Sequence, residues 1–417
     1  MTKTSKQVLD FMGLGISPSI LDQLQKLNFN TPTPIQHQAI PIAIAGQDLM
    51  GIAQTGTGKT LAFGIPMIQR LFKNKSTGLI LLPTRELAAQ VDQDLKTLGS
   101  RFGLRTAILI GGTAIGPQTK ALASQPHIII ATPGRLMDHL EKRKNILNNV
   151  EILVLDEADR MLDMGFEPDI KKILASVKTN QRQTMLFSAT MPIKITNLAQ
   201  KYMRSPLRVE VAPAGSTVKS ISQEAFIVER SQKLSLLDEL LTEYKKRVLV
   251  FSRTKHGAKK ITRVLKTMGH AAAEIHSNKS LTQRTKALKD FKSGAIRVLV
   301  ATDIASRGID VKDIEVVINY DLPDQSEDYV HRIGRTGRAG KRGKAISFVA
   351  PDQKRDLLTI ERLVRIKLPI KPLPVLKPRA VVPKQAPYKK YSNNRPIKPK
   401  VKPKRRRPFN RRRRRKK

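Results

Sequence analysis

Ala53-Gln54-Thr55-Gly56-Thr57-Gly58-Lys59-Thr60 is the stretch that decides the fold. It follows a short apolar stretch and precedes a helical one, which is the context a phosphate-binding loop between strand and helix requires. Its glycines let backbone N–H groups converge on phosphate oxygens, and the helix N-terminus that follows adds partial positive charge. In this reading Thr55, Gly56, Thr57 and Gly58 cradle the phosphates, Lys59 reaches the outer ones and Thr60 ligands Mg²⁺. Ala53 stands where the common pattern has Gly, and taken alone the stretch also reads as a flexible Gly-Thr loop.

Outward from this loop, short apolar runs ending in polar turns recur at 79–82, 128–131, 152–155 and 185–187, then at 248–251, 298–301 and 316–318. They read as buried parallel strands. Amphipathic stretches at 85–98, 168–177, 258–268 and 283–291 fall between them, so strand and helix alternate as in an open α/β sheet. The alternation occurs twice, separated by 206–220, which carries Pro206, Pro213 and Gly215 without sustained periodicity. The expected layout is a first domain at 1–209, a linker at 210–220 and a second domain at 221–368.

The chain has 417 residues, too many for one compact core. Lys and Arg number 77 against 34 Asp and Glu, a formal net charge of +43. Such a surplus repels itself unless a polyanion neutralises part of it, which makes nucleic acid the first candidate partner. Charge alone leaves open a solubility surplus or an acidic lipid or protein partner. Residues 369–417 hold 21 Lys or Arg, ten Pro and no acidic residue. They cannot bury enough apolar surface to offset ordering entropy and are expected to form a disordered basic tail, read as a nucleic-acid tether (RNA, under the resemblance given below) or as a solubilising or targeting segment. Without them the remainder still carries +22.

No cysteine occurs, which excludes disulfides and thiolate metal sites, and the His spacing offers no zinc cluster. The first ten residues are polar and no apolar run reaches the ~18 residues of a membrane span, so a cytoplasmic chain with no membrane partner is expected.

Hydrolysis of a bound nucleotide needs a carboxylate for the metal and a group to orient water, both at the end of a neighbouring strand. Asp156-Glu157-Ala158-Asp159 follows the apolar run 152–155 directly. Asp156 is placed to hold Mg²⁺ and Glu157 to position or deprotonate water. Alone, such a segment reads as a solvated helix start; with the upstream loop it reads as the second half of a site. Residues 329–338 are Tyr-Val-His-Arg-Ile-Gly-Arg-Thr-Gly-Arg. Arg332, Arg335 and Arg338 are spaced three apart, and two of them could cross a cleft to stabilise charge on a γ-phosphoryl group. Hydrolysis would then depend on domain closure, and closure on whatever ligand bridges the domains.

With these motifs in order over roughly residues 11–350, the chain resembles the DEAD-box RNA helicases, whose name Asp156-Glu157-Ala158-Asp159 spells. The resemblance implies two tandem RecA-like domains, each a parallel sheet flanked by helices. It also implies ATP-dependent remodelling of duplex or structured RNA without sequence preference, with ATP and Mg²⁺ as cofactors. Phe29 and the segment Pro32-Thr33-Pro34-Ile35-Gln36 look like the adenine-recognising element, with Phe29 stacking and Gln36 reading the base edge. Arg85 in Pro83-Thr84-Arg85-Glu86, Gly112, and Thr132, Gly134 and Arg135 resemble RNA-backbone contacts of the first domain. Arg253, Thr302 and Asp303 resemble those of the second. By the same resemblance Ser188 and Thr190 couple hydrolysis to strand separation, Gly308 approaches the γ-phosphate and Asp310 meets the ribose. Arg335 and Arg338 become the fingers, with His331 and Arg332 bonding across the closed cleft.

Within the family, 155–166 and the short basic-tailed layout look most like the bacterial RhlE-type branch. A monomer is expected, acting in ribosome assembly or RNA turnover, with ribosomal particles or RNA-degradation machinery as further partners. Two positions depart from the pattern: Ser277 stands where relatives usually have Gly, and Leu281 where they usually have Gln. Two readings of other classes compete, a non-catalytic RNA chaperone or clamp and a DNA translocase. Intact Glu157, Arg335 and Arg338 argue against the first, and Gln36 with the Asp156–Asp159 segment against the second.

Overall fold

Parallel pairing organises both halves of this computed structural model, which describes residues 10–54, 56–72, 76–177, 182–211, 221–303, 311, 313–337 and 343–376. Thr55, Gly308, Asp310, Arg338, most of the linker and the tail from 377 onward lie outside the described residues.

The first sheet is built from β1 (Leu49–Ile52), β2 (Thr77–Leu81), β3 (Thr106–Leu109), β4 (Ile128–Ala131), β5 (Val150–Leu155), β6 (Gln183–Ser188) and β7 (Leu207–Glu210), in the spatial order β3-β4-β2-β5-β6-β1-β7. The second uses β8 (Ile221–Ile227), β9 (Arg247–Phe251), β10 (Ala272–Ile275), β11 (Val298–Ala301), β12 (Ile314–Asn319), β13 (Gly343–Val349) and β14 (Ile370–Lys371), ordered β10-β11-β9-β12-β13-β8-β14. Every pairing in both is parallel. The expected α/β fold of two tandem RecA-like domains is therefore what the chain adopts.

Parallel strands joined by crossover helices are covered on both faces, so their sequences become continuous apolar runs. Ile128–Ala131 and Val298–Ala301 are buried at every position. The helices present apolar stripes to those faces: Lys255–Thr267, for example, buries Ala258, Ile261, Val264 and Leu265 against the second sheet. Each half thus carries apolar clusters on either side of its own sheet. Strand β14 lies beyond residue 368, where composition places the start of the tail, and pairs Ile370 with Ala225 and Lys371 with Phe226. Both of its side chains are exposed. Pairing here uses only backbone groups, which composition cannot register.

In open α/β sheets, ligands bind outside the carboxyl ends of the strands. Those ends carry residues 53–60 after β1, 156–159 after β5 and 188–190 after β6 in the first half. The two halves meet through Arg284, whose guanidinium lies 2.8 Å from the Glu86 carboxylate, both side chains nearly buried. Leu281, one turn earlier on the helix Leu281–Ser293, packs against the first half's apolar cluster. Among the described residues no helix is long and apolar enough to cross a membrane.

Candidate functional site

Gly56 and Gly58 have φ of +87° and +92°, a region open to glycine, and Gly58 is the N-cap of the helix Lys59–Leu71. That helix has no acidic residue in its first turn, so its free N–H groups face the loop without a competing side-chain charge. A Cβ on Gly58 would collide with the Gln36 amide. Gln36 Nε2 donates to the Gly58 carbonyl at 3.0 Å, while its Oε1 accepts the Thr33 N–H at 2.8 Å in a capping box. The adenine-reading element expected from sequence is thus fastened to the phosphate loop. Phe29, its stacking partner in that expectation, is 42% exposed.

Lys59 is buried; its ammonium donates to the Ala53 carbonyl at 3.1 Å and lies 3.4 Å from Asp156 Oδ1. Burial pushes the Asp156 carboxyl up from the usual carboxylate range and the neighbouring Glu157 charge adds to this, while Lys59 opposes it. A carboxylate held against its own desolvation is primed for a cation. Among the described residues no group of three or more His, Cys, Asp or Glu could hold a metal. This donor set fits Mg²⁺, which is commonly held by one or two protein oxygens, several waters and substrate phosphates. Glu157 has φ +52°, a left-handed conformation that is costly for a residue with a side chain. Its carboxylate lies 3.6 Å from the buried guanidinium of Arg160.

Asp159 fastens this segment to the next strand. Its Oδ2 accepts the N–H groups of Ala189 and Thr190 at 3.1 and 2.9 Å and the Thr190 hydroxyl at 2.9 Å. Its own N–H donates to Ser188 Oγ at 3.3 Å. Ser188 in turn offers its carbonyl to Ala53 N–H at 2.9 Å, so strand pairing carries the connection back to the phosphate loop.

Arg85, Thr132, Gly134 and Arg135 line one cavity of about 400 Å³, together with Ser277 and Arg284 from the second half. Burial and the nearby guanidiniums of Arg284 and Arg135 push Arg85 down from its ordinary value, against the pull of Glu86. Arg85 presses so closely on Gly112 that a Cβ there would overlap its guanidinium. Thr84 caps the helix that carries Arg85, accepting the Leu87 N–H at 3.3 Å, and Arg135 donates to the Thr113 carbonyl at 3.1 Å. The Glu86–Arg284 pair at this cavity has no counterpart in the sequence expectation. Its members are distant in sequence, and no local pattern marks one as the other's partner.

Arg253 is not brought into that cavity. It donates to the Leu322 carbonyl and pairs with Asp324, lining a separate hollow of about 270 Å³ with Lys233 and Tyr320. Thr302, just past β11, donates its N–H to the Ile275 carbonyl at 3.2 Å.

Arg332, expected to bond across the closed cleft, is engaged within its own half. Its guanidinium makes a bidentate pair with Asp303, 2.6 Å on each arm, and also donates to Asn319 Oδ1 and the Asp321 carbonyl. All these acceptors belong to its own half, and Asp303, expected at RNA, is engaged by Arg332. The physical reason is burial: a guanidinium only 1% exposed needs several acceptors close at hand. Arg335, also buried, donates Nε–H to the His331 carbonyl at 3.2 Å. Arg335, Arg332 and His331 line a narrow crevice whose other wall includes Arg160, from the helix that follows Glu157.

The family model described as DEAD/DEAH box helicase matches residues 33–198, and that of the helicase conserved C-terminal domain matches 232–340. A Candida glabrata protein named ATP-dependent rRNA helicase RRP3 is 44% identical over 363 residues, 86% of this chain and 74% of that protein. The DEAD-box ATP-dependent RNA helicase CshA of Bacillus cereus is 42% identical over 361 residues, 86% of this chain and 69% of that protein. Among solved structures, S. cerevisiae Dbp5 bound to RNA and ADP BeF3 superposes with a TM-score of 0.77 at 29% identity, covering 87% of this chain and 96% of that one.

Proposed function

Because the chain belongs to the DEAD-box family of ATP-dependent RNA helicases, we propose a division of labour among its residues. Adenine lies between Phe29 and Gln36, and the phosphates lie on residues 55–60, with Lys59 on the outer ones. Mg²⁺ would be held by Thr60, Asp156 and the phosphates, where it neutralises charge on the leaving group. Glu157 orients the attacking water from a left-handed, strained backbone position. Arg335 and Arg338 meet the transferred phosphoryl group, Gly308 and Asp310 the nucleotide's far side.

RNA lies across both halves on Arg85, Gly112, Thr132, Gly134, Arg135 and Thr302, with Arg253 reached further along. Backbone N–H groups, hydroxyls and guanidiniums at strand ends grip phosphate and 2′-OH without reading bases, which favours RNA over DNA and specifies no sequence. His331 and the Arg332–Asp303 pair hold the arginine-bearing helix in place. Ser188 and Thr190 transmit the state of the acidic segment through Asp159. The observation that carries the reading is the crevice lined by Arg335 of one half and Arg160 of the other, where Arg160 lies 3.6 Å from the Glu157 carboxylate.

The working context is ribosome assembly or RNA turnover in the cytoplasm, as a monomer. A relative named as an rRNA helicase supports it. The RhlE-type placement rests on residues 155–166 and the short basic-tailed layout, whereas the two relatives above carry other names.

ATP turnover measured with RNA, with DNA and without nucleic acid tests the proposal. RNA alone is expected to stimulate, and Glu157→Gln to abolish turnover while keeping ATP-dependent RNA retention. Equal turnover in Glu157→Gln and the parent would overturn the assignment of Glu157. Equal stimulation by DNA would favour a translocase.

A further inference from the structure

At the opposite, amino-terminal edge of the first sheet, β3, β4, β2 and β5 begin side by side around a cavity of about 950 Å³. This is near the upper end of the volumes that small-molecule and cofactor sites occupy. It lies across the sheet from the phosphate loop and shares no residue with the cleft described above.

Its walls combine rings, cations and amides. Phe72 is 39% exposed, and its ring packs at 5.3 Å from His127 and 5.5 Å from Phe102. His127 Nδ1 accepts the Arg105 N–H at 3.0 Å, which leaves the proton of the neutral ring on Nε2. Burial, with the Arg105 charge second, pushes this imidazole down from its ordinary value. Arg105 spends one N–H on the Gln125 carbonyl and Arg143 spends Nε–H on Asn145 Oδ1, so donors remain on both exposed guanidiniums. Among the described residues no acidic side chain lines the cavity, whereas Asn145, Asn148 and Asn149 do.

Two further observations point to a ligand. Ser76 lines the cavity and is 8% exposed, and its hydroxyl has no hydrogen-bond partner. The helices Lys59–Leu71, Ile115–Ala123 and Pro133–Lys142 all end here, which gathers terminal carbonyls at one edge. Acceptor-rich walls repel a bare anion inside but suit the amino and imino groups of a base, while phosphate stays at the arginines on the rim. Base on aromatic ring with guanidinium beside it is the mode in which unpaired nucleotides are held.

We propose that this cavity is a second nucleotide-binding site, remote from the ATP cleft, which stacks the base of an unpaired nucleotide on Phe72 and holds its phosphate at Arg105 and Arg143. The nucleotide is either part of a single-stranded RNA or free; the recognising chemistry is the same.

The test uses the full chain with methyl-labelled isoleucines and follows Ile129 and Ile146, which line the cavity. It is titrated with single-stranded oligouridylate and, separately, with AMP. Movement of both signals with oligouridylate but not AMP assigns the site to RNA, and movement with both admits a free nucleotide. The exposed substitutions Phe72→Ala and Arg143→Gln should each weaken the response about tenfold, the scale of one base–aromatic stack for the first and of one charged hydrogen bond for the second. RNA-stimulated ATP turnover at saturating RNA should be unchanged in both, since neither residue belongs to the cleft. The proposal is overturned if neither probe moves the two signals, or if they move equally in the parent and both variants.

Discussion

The hydroxyl of Thr190 and the carboxylate of Asp159 lie 2.9 Å apart, joining the end of β6, the strand paired with the one that leads into the phosphate loop, to the acidic segment 156–159. Asp159 Oδ2 takes three donors from residues 189 and 190, so its position reports on both strand ends together. In Thr190→Val the hydroxyl is lost while the backbone N–H bond stays. A hydrogen bond to a charged group contributes about 1.5–3 kcal/mol, so duplex separation should slow roughly tenfold or more. ATP turnover should change little. Parallel ATPase and strand-separation assays check this; an equal fall in both would place Thr190 in hydrolysis itself.

Gly58 is constrained twice, by φ of +92° and by the Gln36 amide where a Cβ would stand. Gly58→Ala should therefore incur about 1–2 kcal/mol of backbone strain and also displace Gln36. Calorimetric titration should show weaker ATP binding and a smaller preference for ATP over GTP. Retained discrimination would separate Gln36 from base reading.

Glu86 and Arg284 join the two halves through a nearly buried pair 2.8 Å apart. Removing one partner strands the other's charge in a poorly solvated place. Arg284→Met should weaken RNA binding in the presence of a non-hydrolysable ATP analogue by about tenfold or more, since breaking a buried ion pair from one side costs on the order of 3–5 kcal/mol. Nucleotide binding without RNA should be unaffected. The exchange Glu86→Arg with Arg284→Glu should recover part of the loss, and no recovery would mean that each residue acts independently on RNA.

His276, 4% exposed, has neither ring nitrogen hydrogen-bonded. Burial holds its imidazole below the ordinary histidine range, with Lys279 adding to the effect and Glu274, 3.8 Å away, opposing it. The unfolded chain then takes up a proton that the folded chain resists. This contribution to stability is present above the unfolded value and is lost as pH falls from about 6.5 through the lower folded value. Thermal unfolding of the parent should therefore weaken more steeply than His276→Gln between pH 7.5 and 5.5. His127 and His139, also held low by burial, leave a residual slope in the variant. Parallel curves would remove His276 from the acid response.

How much of this was legible in sequence follows from what each element uses. All seven apolar runs, from 79–82 to 316–318, became strands because continuous apolar character is what a strand covered on both faces requires. Strands β8 and β13 escaped that pattern. Ile221–Ile227 and Gly343–Val349 carry Ser, Gln, Glu and Lys among their apolar residues, and pairing between them, not composition, makes them strands.

Local chemistry was readable for the same reason that it is local. The order Gly-Thr-Gly-Lys-Thr sets a loop, a helix start and an ammonium within a few residues, and Asp156 to Asp159 follow a strand directly. Sequence by itself therefore determined the two parallel-sheet halves, the phosphate loop and the acidic segment. Tertiary structure alone decided that Arg332 satisfies its buried guanidinium on Asp303 within its own half, and that Arg284 closes on Glu86 across the cleft. It also decided that ring, cation and amide gather at the far edge of the first sheet. Each joins residues tens to hundreds of positions apart, where long-range packing and desolvation select the partner and no spacing in the chain can.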